Sequence, residues 1–229
     1  MRNGFYLLVA GAVAFLSGCA GPRQPPVPLS QELLAPGGRV GVAMTRIPKP
    51  NTEFPGAGCL LCMATAEAAH QSLTAYVQSL ATDDLARVKD EFADALRKRG
   101  VNAIVIAEPL DLESFPERDR SGANAAHRDF SSLRKKYQID RVVVLSIGTH
   151  GVSRSYSSYI PTADPRAFVR GTAYAVNLTT NSYEWYKTVA VSKFGAGKWD
   201  EPPKYPGLTN MYYEAVESCR DSFLDPLNR

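Results

Sequence analysis

The alternation of apolar and polar positions is clearest between His127 and Gly148. Phe130, Leu133 and Tyr137 recur at spacings of three and four, which predicts a helix beginning near Gly122 or Asn124. Arg141 to Ile147 is then almost wholly apolar and β-branched, as in a strand covered on both faces. A similar passage precedes it. Thr82 can cap a helix that places Leu85, Val88, Phe92 and Leu96 on one side and ends at Arg97-Lys98-Arg99-Gly100. Val101 to Ala107 follows as a second apolar strand. Upstream, Val40, Val42 and Met44 alternate with Gly41 and Ala43, predicting a first strand with one small-residue face. Residues 48–58 read as a long exposed loop, and Cys62 to Leu80 as one helix with Thr65, Ala69, Leu73, Tyr76, Val77 and Leu80 on its buried face.

Beyond Gly148 the period changes to two. Val152 to Ile160 is a candidate edge strand. Phe168, Arg170, Thr172, Tyr174 and Val176 alternate with Val169, Gly171, Ala173 and Ala175. A turn at Thr180-Asn181-Ser182 leads into a matching strand through Trp185 to Phe194, so the pair predicts an antiparallel hairpin. A Gly- and Pro-rich loop over residues 195–207 precedes a last helix, capped by Thr209 or Asn210, with Met211, Ala215, Cys219 and Phe223 on one side. The expected fold is α/β: a mixed sheet, parallel strands with helical crossovers followed by an antiparallel hairpin and a C-terminal helix. Residues 39–229 should form one domain.

The first 38 residues follow other rules. Arg2 and an apolar run from Phe5 to Leu16, too short to span a membrane, end at Leu16-Ser17-Gly18-Cys19. This resembles a bacterial lipoprotein signal with its lipobox. The resemblance implies removal of residues 1–18 and lipidation, including a palmitate, at Cys19, hence attachment to the membrane through a lipid anchor. Ala20 and Gly21 are unlike an inner-membrane retention signal, which implies the outer membrane, with the domain facing the periplasm. Residues 19–38, with Pro22, Pro25, Pro26, Pro28 and Pro36, are expected to be a stiff extended tether.

The 229-residue chain carries a formal charge of +3, and neither sign dominates a long segment. Arg134, Lys135 and Lys136 read as a solvated helix face. No alternation of aromatic and basic residues points to nucleic acid, and none is expected as a partner. With Cys19 lipidated, Cys59, Cys62 and Cys219 remain for one disulfide in an oxidising compartment. Cys59–Cys219 is favoured because a returning final helix would bring Cys219 to a flexible loop. Cys62–Cys219 and the local pair Cys59–Cys62 stay open, the last with thiol-redox chemistry as its extension. No metal is expected: His70 lies on the helix after Cys62, but no second ligand pair exists. His70, His127 and His150 are isolated in sequence. His150 follows the central strand, beside Thr149, Ser153 and Arg154, where α/β sheets place ligands. GxSxG, HExxH and Walker motifs are absent, so no catalytic residue or cofactor is assigned, and a hydrolytic enzyme remains a minor alternative.

Tyr156, Tyr159, Tyr174, Tyr183, Trp185 and Tyr186 are the candidate contact surface, for another subunit, another envelope protein or, by stacking, a glycan. The helix–Gly–strand at 83–107, the unit Leu133 to Ile147 and the turn before Trp185 together resemble periplasmic lipoproteins with a TolB N-terminal-like domain. The curli channel subunit and the Pel-export lipoprotein share that domain. This resemblance implies a structural or assembly part in an envelope export or surface-structure complex, often as a homo-oligomeric ring. A ligand- or glycan-binding module is the alternative.

Overall fold

In the computed structural model, residues 24–118, 122, 124–195, 198–201 and 204–228 are described. Cys19 and the apolar run before it lie outside them. The sheet forms in the expected order and class. Strands β1 (Arg39–Met44), β2 (Asn51–Glu53), β3 (Asn102–Val105), β4 (Arg141–Ser153), β7 (Arg166–Asn177) and β8 (Ser182–Lys193) make one mixed sheet. A separate small ribbon pairs β5 (Tyr156–Ser157) with β6 (Ile160–Pro161). The path is β3-β1-β4-β7-β8, parallel up to β4 and antiparallel after it.

β4 is longer than the apolar run suggests, because its edge is shared. Its first half pairs with β1, from Val40 opposite Arg141 to Met44 opposite Leu145. Its last three residues pair with β2, so the segment 48–58 is not simply an exposed loop. Between Ile147 and Thr149 the register against β7 slips by a β-bulge. Val143, Leu145 and Ile147 face one core, and Val142 and Val144 the other. After the bulge, Val152 returns to the first core at an even number, a parity change that one extra residue imposes. Gly151, at φ +139°, allows the backbone of Asn51 to press against it, where a Cβ would collide with the Asn51 carbonyl.

The first core lies under helices. The face predicted for α4 (Asp83–Lys98) is the observed one: Leu85, Val88, Phe92 and Leu96 are all completely buried. Each contributes roughly 1.5–3 kcal/mol through removal of apolar surface from water. α6 (Pro206–Leu224) lies beside it, burying Met211, Ala215, Cys219 and Phe223. It begins at Pro206, ahead of the expected caps, because proline at the first helical position loses no hydrogen bond there. The small residues of the strands are used for close approach. A side chain on Gly41 would meet Ile139 at 2.7 Å, and one on Gly171 would strike the Ser146 carbonyl.

Four further sequence expectations change. The stretch 62–80 is two helices, α2 (Leu60–Ala69) and α3 (Gln71–Val77), broken at His70. Their buried line is Cys62, Ala66, His70, Leu73, Val77 and Leu80, while Thr65 and Ala69 are exposed. Val152 to Ile160 is not one strand: β4 ends at Ser153 and the β5–β6 ribbon follows. Residues 24–38 are not a free tether. Val27 exchanges backbone hydrogen bonds with Tyr186, Ser30 donates to the Glu184 carbonyl, and Ser30 caps α1 (Gln31–Leu34), which buries Leu33. This segment covers part of the β8 edge, which would otherwise offer unpaired backbone groups. The domain therefore begins before Arg39.

The fourth change is on the second core. The predicted helix is only α5 (Ser132–Tyr137), and the segment before it is irregular. Asn181 explains why. It sits in the β7–β8 turn at φ +53°, buried, and its side chain accepts from the Phe130 N–H at 3.0 Å and donates to the Arg128 carbonyl at 2.8 Å. Its own carbonyl accepts from Ala126 N–H. Backbone groups that a helix would use internally are thus held by the turn, and Phe130 is pinned over Tyr174. Asn181→Gly should keep the left-handed turn yet lose both side-chain bonds. The expected cost is about 2–4 kcal/mol in urea unfolding. A loss under half a kilocalorie per mole would show that the clamp is incidental.

Candidate functional site

The sheet end at which β2, β4 and β8 finish gathers the unusual side chains. Phe54 follows β2, and Arg154 and Tyr156 follow β4. His70 breaks the helix between α2 and α3, its backbone N–H bonding back to the Ala66 and Glu67 carbonyls. The His70 ring stacks on Phe54 at 5.4 Å, and Trp199 approaches edge-on at 6.3 Å. His70 Nε2 lies 2.7 Å from the Tyr156 hydroxyl and 3.1 Å from Arg154 Nη1. A guanidinium only donates, so Nε2 accepts, the Tyr156 hydroxyl donates to it as well, and the ring proton sits on Nδ1. Arg154 in turn stands over the Trp199 ring at 4.9 Å. Burial, and then the Arg154 charge, hold the His70 pKa below its ordinary value. The ring is neutral, with Nε2 already engaged by two donors. It acts as a packed junction between α2, the β4 exit and the Trp199 loop.

His150 is similarly occupied. Its Nε2 donates to the Pro48 carbonyl at 2.8 Å, so Nδ1 accepts from the Tyr212 hydroxyl at 3.0 Å. Both side chains are buried, and burial lowers the imidazole pKa. The expected grouping of His150 with Thr149, Ser153 and Arg154 is not assembled as a site. Thr149 lies beside Arg170, Ser153 is buried, and Arg154 belongs to the His70 cluster. His127 is exposed in the loop ahead of α5. Among the described residues, no group of three His, Cys, Asp or Glu could hold a metal ion, and no helix is long and apolar enough to cross a membrane.

The favoured Cys59–Cys219 pairing does not form. Cys219 is a free thiol on α6, buried in the first core, and burial pushes its pKa to about 12. Cys59 and Cys62 instead lie at disulfide distance from each other, with Cα atoms 4.9 Å apart. Cys62 belongs to a small third cluster with Phe54, Ala57, Ala66 and Tyr156, apart from the helix-covered core that holds Cys219, while Cys59 is exposed beside it. Gly56, at φ +90°, lets this loop press against the Tyr156 backbone.

The six aromatics do not share one surface. Trp185 is buried and stacked on Phe92 at 5.5 Å. Tyr174 and Tyr183 are buried on the opposite face, with Tyr186 half-exposed beside them. Together with Phe130, Arg128, Glu113 and Glu117 they line a hollow of about 310 Å³. Only Tyr156 and Tyr159 are at the His70 end, and there the apolar surface is supplied by residues of other types. Among the described residues, the large exposed hydrophobics are Leu60, Leu61, Met63, Tyr159, Ile160 and Phe194. Leu60 is 95% exposed, and Leu61, Ile160 and Phe194 between 66% and 69%. Tyr159 brings the ribbon to Cys59, its hydroxyl 3.7 Å from the sulfur. Phe194 meets Arg166, which pairs with the end of β4. One sequence signal pointed here: consecutive Leu60 and Leu61 cannot both lie on the buried line of α2.

No protein-family model matches the chain, and no curated protein matches it in sequence. Among solved structures it is similar to the PelC dodecamer from Paraburkholderia phytofirmans, at 14% identity, over 90% of this chain and 98% of that chain, with a TM-score of 0.36. It is also similar to lipoprotein GNA1162 from Neisseria meningitidis, at 14% identity over 80% and 96%, with a TM-score of 0.28. The C-terminal domain of LpoB from Salmonella enterica aligns at 12% identity over 71% and 95%, with a TM-score of 0.21. Likeness at this level transfers no residue role to the present chain.

Because both buried histidines favour the neutral form when folded, the unfolded chain binds more protons near their ordinary pKa of about 6.5. Stability should be fully present above that value and fall as pH drops below it. The melting temperature is expected to be flat from about pH 7 to 8 and to decline towards about pH 5. The decline should be shallower in His70→Gln. An identical pH profile in that variant would remove His70 from the account.

Proposed function

We propose that this chain is a lipid-anchored envelope protein that works through contacts, with Cys19 as the anchor and the apolar end of the sheet as the contact surface. The observation that carries this reading is the exposure of Leu60, Leu61, Met63, Tyr159, Ile160 and Phe194 on elements that meet at one end of the sheet, Tyr159 reaching Cys59 and Phe194 reaching Arg166 opposite the end of β4. Scattered single apolar side chains need no explanation, whereas a gathered set marks an interaction surface. The anchor is supported by the lipobox-like Leu16-Ser17-Gly18-Cys19, and the address proposed with it is the outer membrane facing the periplasm. Residues 24–38 dock on β8, so they hold the anchored end close to the domain. The partner is a second copy of the chain or another envelope component of an export or surface-structure complex.

A second reading has its own observation. The hollow lined by Tyr174, Tyr183 and Tyr186 beside Arg128, Glu113 and Glu117 combines aromatic faces with charged hydrogen-bonding groups, which suits a glycan or another polar ligand.

Two substitutions separate the parts of the main reading. Cys19→Ser should leave the full-length protein soluble after cell fractionation, and retention in the membrane pellet would contradict the anchor. Leu61→Glu with Ile160→Glu should shrink the complex seen by native mass spectrometry of gentle detergent extracts while leaving the melting temperature within about 2 °C. An unchanged complex would move the contact surface elsewhere.

A further inference from the structure

We propose that Cys59 and Cys62 form a thiol–disulfide exchange site, which takes a dithiol or a disulfide presented by a protein segment docked on the apolar end. This deepens the contact reading, since the partner seated on Leu60, Leu61 and Ile160 is the one that meets the sulfur.

The two cysteines are unequal. Cys59 is exposed, while Cys62 is buried among Phe54, Ala57, Ala66 and Tyr156. An incoming sulfur can therefore reach one atom of the pair, and the other is kept for resolving the product. Cys59 is also the N-cap of a ten-residue helix, and its Sγ accepts the Cys62 backbone N–H at 2.9 Å. The first turn of that helix contains no acidic residue. A Cys59 thiolate would meet a backbone donor and the positive end of the helix dipole, with no carboxylate in that turn to oppose it. The Tyr159 hydroxyl, 3.7 Å away, is a further donor within reach.

The surroundings are those of a docking site. Leu60, 95% exposed, and Leu61, 66% exposed, stand between the sulfurs in sequence, and Ile160, 68% exposed, follows Tyr159 on the ribbon that reaches Cys59. They offer apolar contacts to an extended chain whose own sulfur is aimed at Cys59. The helix does not need the sulfur bond to hold its first turn, because Met63 N–H donates to the Cys59 carbonyl at 2.9 Å. Bridging residues only three apart also constrains the unfolded chain little. Reduction should leave the fold in place. Cys219, in the helix-covered core with a pKa near 12, takes no part.

The exchange balances as follows. A thiolate of the partner dithiol attacks Cys59 Sγ. The Cys59–Cys62 bond breaks, a partner–Cys59 disulfide forms, and the electron pair leaves on Cys62, which takes up a proton. The partner's second thiolate attacks its own sulfur in that mixed disulfide, and Cys59 departs as the thiolate. The partner dithiol is oxidised to a disulfide, and the pair here is reduced by two electrons. The reverse sequence reduces a partner disulfide, and a second protein dithiol or disulfide resets the site.

The test uses the full-length protein in detergent with glutathione as the probe. In glutathione buffers the pair should interconvert reversibly with the circular dichroism spectrum unchanged. In the reduced protein, iodoacetamide should label Cys59 at least about tenfold faster than Cys62, with a midpoint below the ordinary thiol pKa of about 8.5. Cys62→Ser should accumulate a stable Cys59–glutathione adduct. A pair that stays oxidised in excess reduced glutathione until the protein is denatured would overturn the proposal, as would a Cys59 midpoint at or above the ordinary value. Should Cys62→Ser fail to fold, the wild-type labelling profile decides alone. Loss of the contact surface by Leu61→Glu with Ile160→Glu should leave the glutathione result intact, so the two readings fail separately.

Discussion

The structure depends on β4 being buried on both faces and paired on both edges. Val142 and Val144 fill one core while Val143, Leu145 and Ile147 fill the other. Such a strand has no freedom to slip, because a shift of one residue would exchange its two faces. The bulge at Gly148 is the one place where parity changes, and it takes effect just beyond β1. From there β2 replaces β1 as the edge partner, His150 turns to Tyr212 and Pro48, and the strand leads to Arg154 and Tyr156. The well-packed middle of the sheet thus hands over to an end made of short elements, held by aromatic stacking and a few polar bonds.

Much of this was legible from periodicity. The buried line of α4, the two-sided β4 and the β7–β8 hairpin each follow from strong, local apolar patterns, and each is present, α4 and β4 with their predicted core residues. Structure and local pattern part where a distant contact overrides local preference. Phe130, Leu133 and Tyr137 have helical spacing, yet Asn181, fifty-one residues from Phe130, takes the backbone groups that would extend the helix. Asn51 to Glu53 reads as loop and becomes a strand only because β4 outruns β1. The prolines of residues 24–38 do preclude regular pairing, but Val27 and Ser30 still reach β8 one bond at a time.

The candidate site was less legible because exposure carries no periodic signal. Aromatic residues suggested a surface, but most of Tyr174, Tyr183, Trp185 and Tyr186 is spent on packing. The outward-facing apolar groups are mostly aliphatic, on a helix start and a ribbon tip that only the fold brings together, with Tyr159 and Phe194 as the aromatic members. The cysteines show the same limit. Spacing identifies Cys59 and Cys62 as a pair worth weighing, while the exclusion of Cys219 depends on its burial on the inner side of α6, in the core that also holds Trp185.

The proposed contact surface places the partner at this end of the domain. Photo-crosslinking amino acids placed singly at Leu61 and Ile160, and for comparison at the exposed Lys135 and Glu214, test it in growing cells. Discrete crosslinked products are expected from the first two positions and none from the others. Products confined to Lys135 or Glu214, with Leu61 and Ile160 silent, would contradict it.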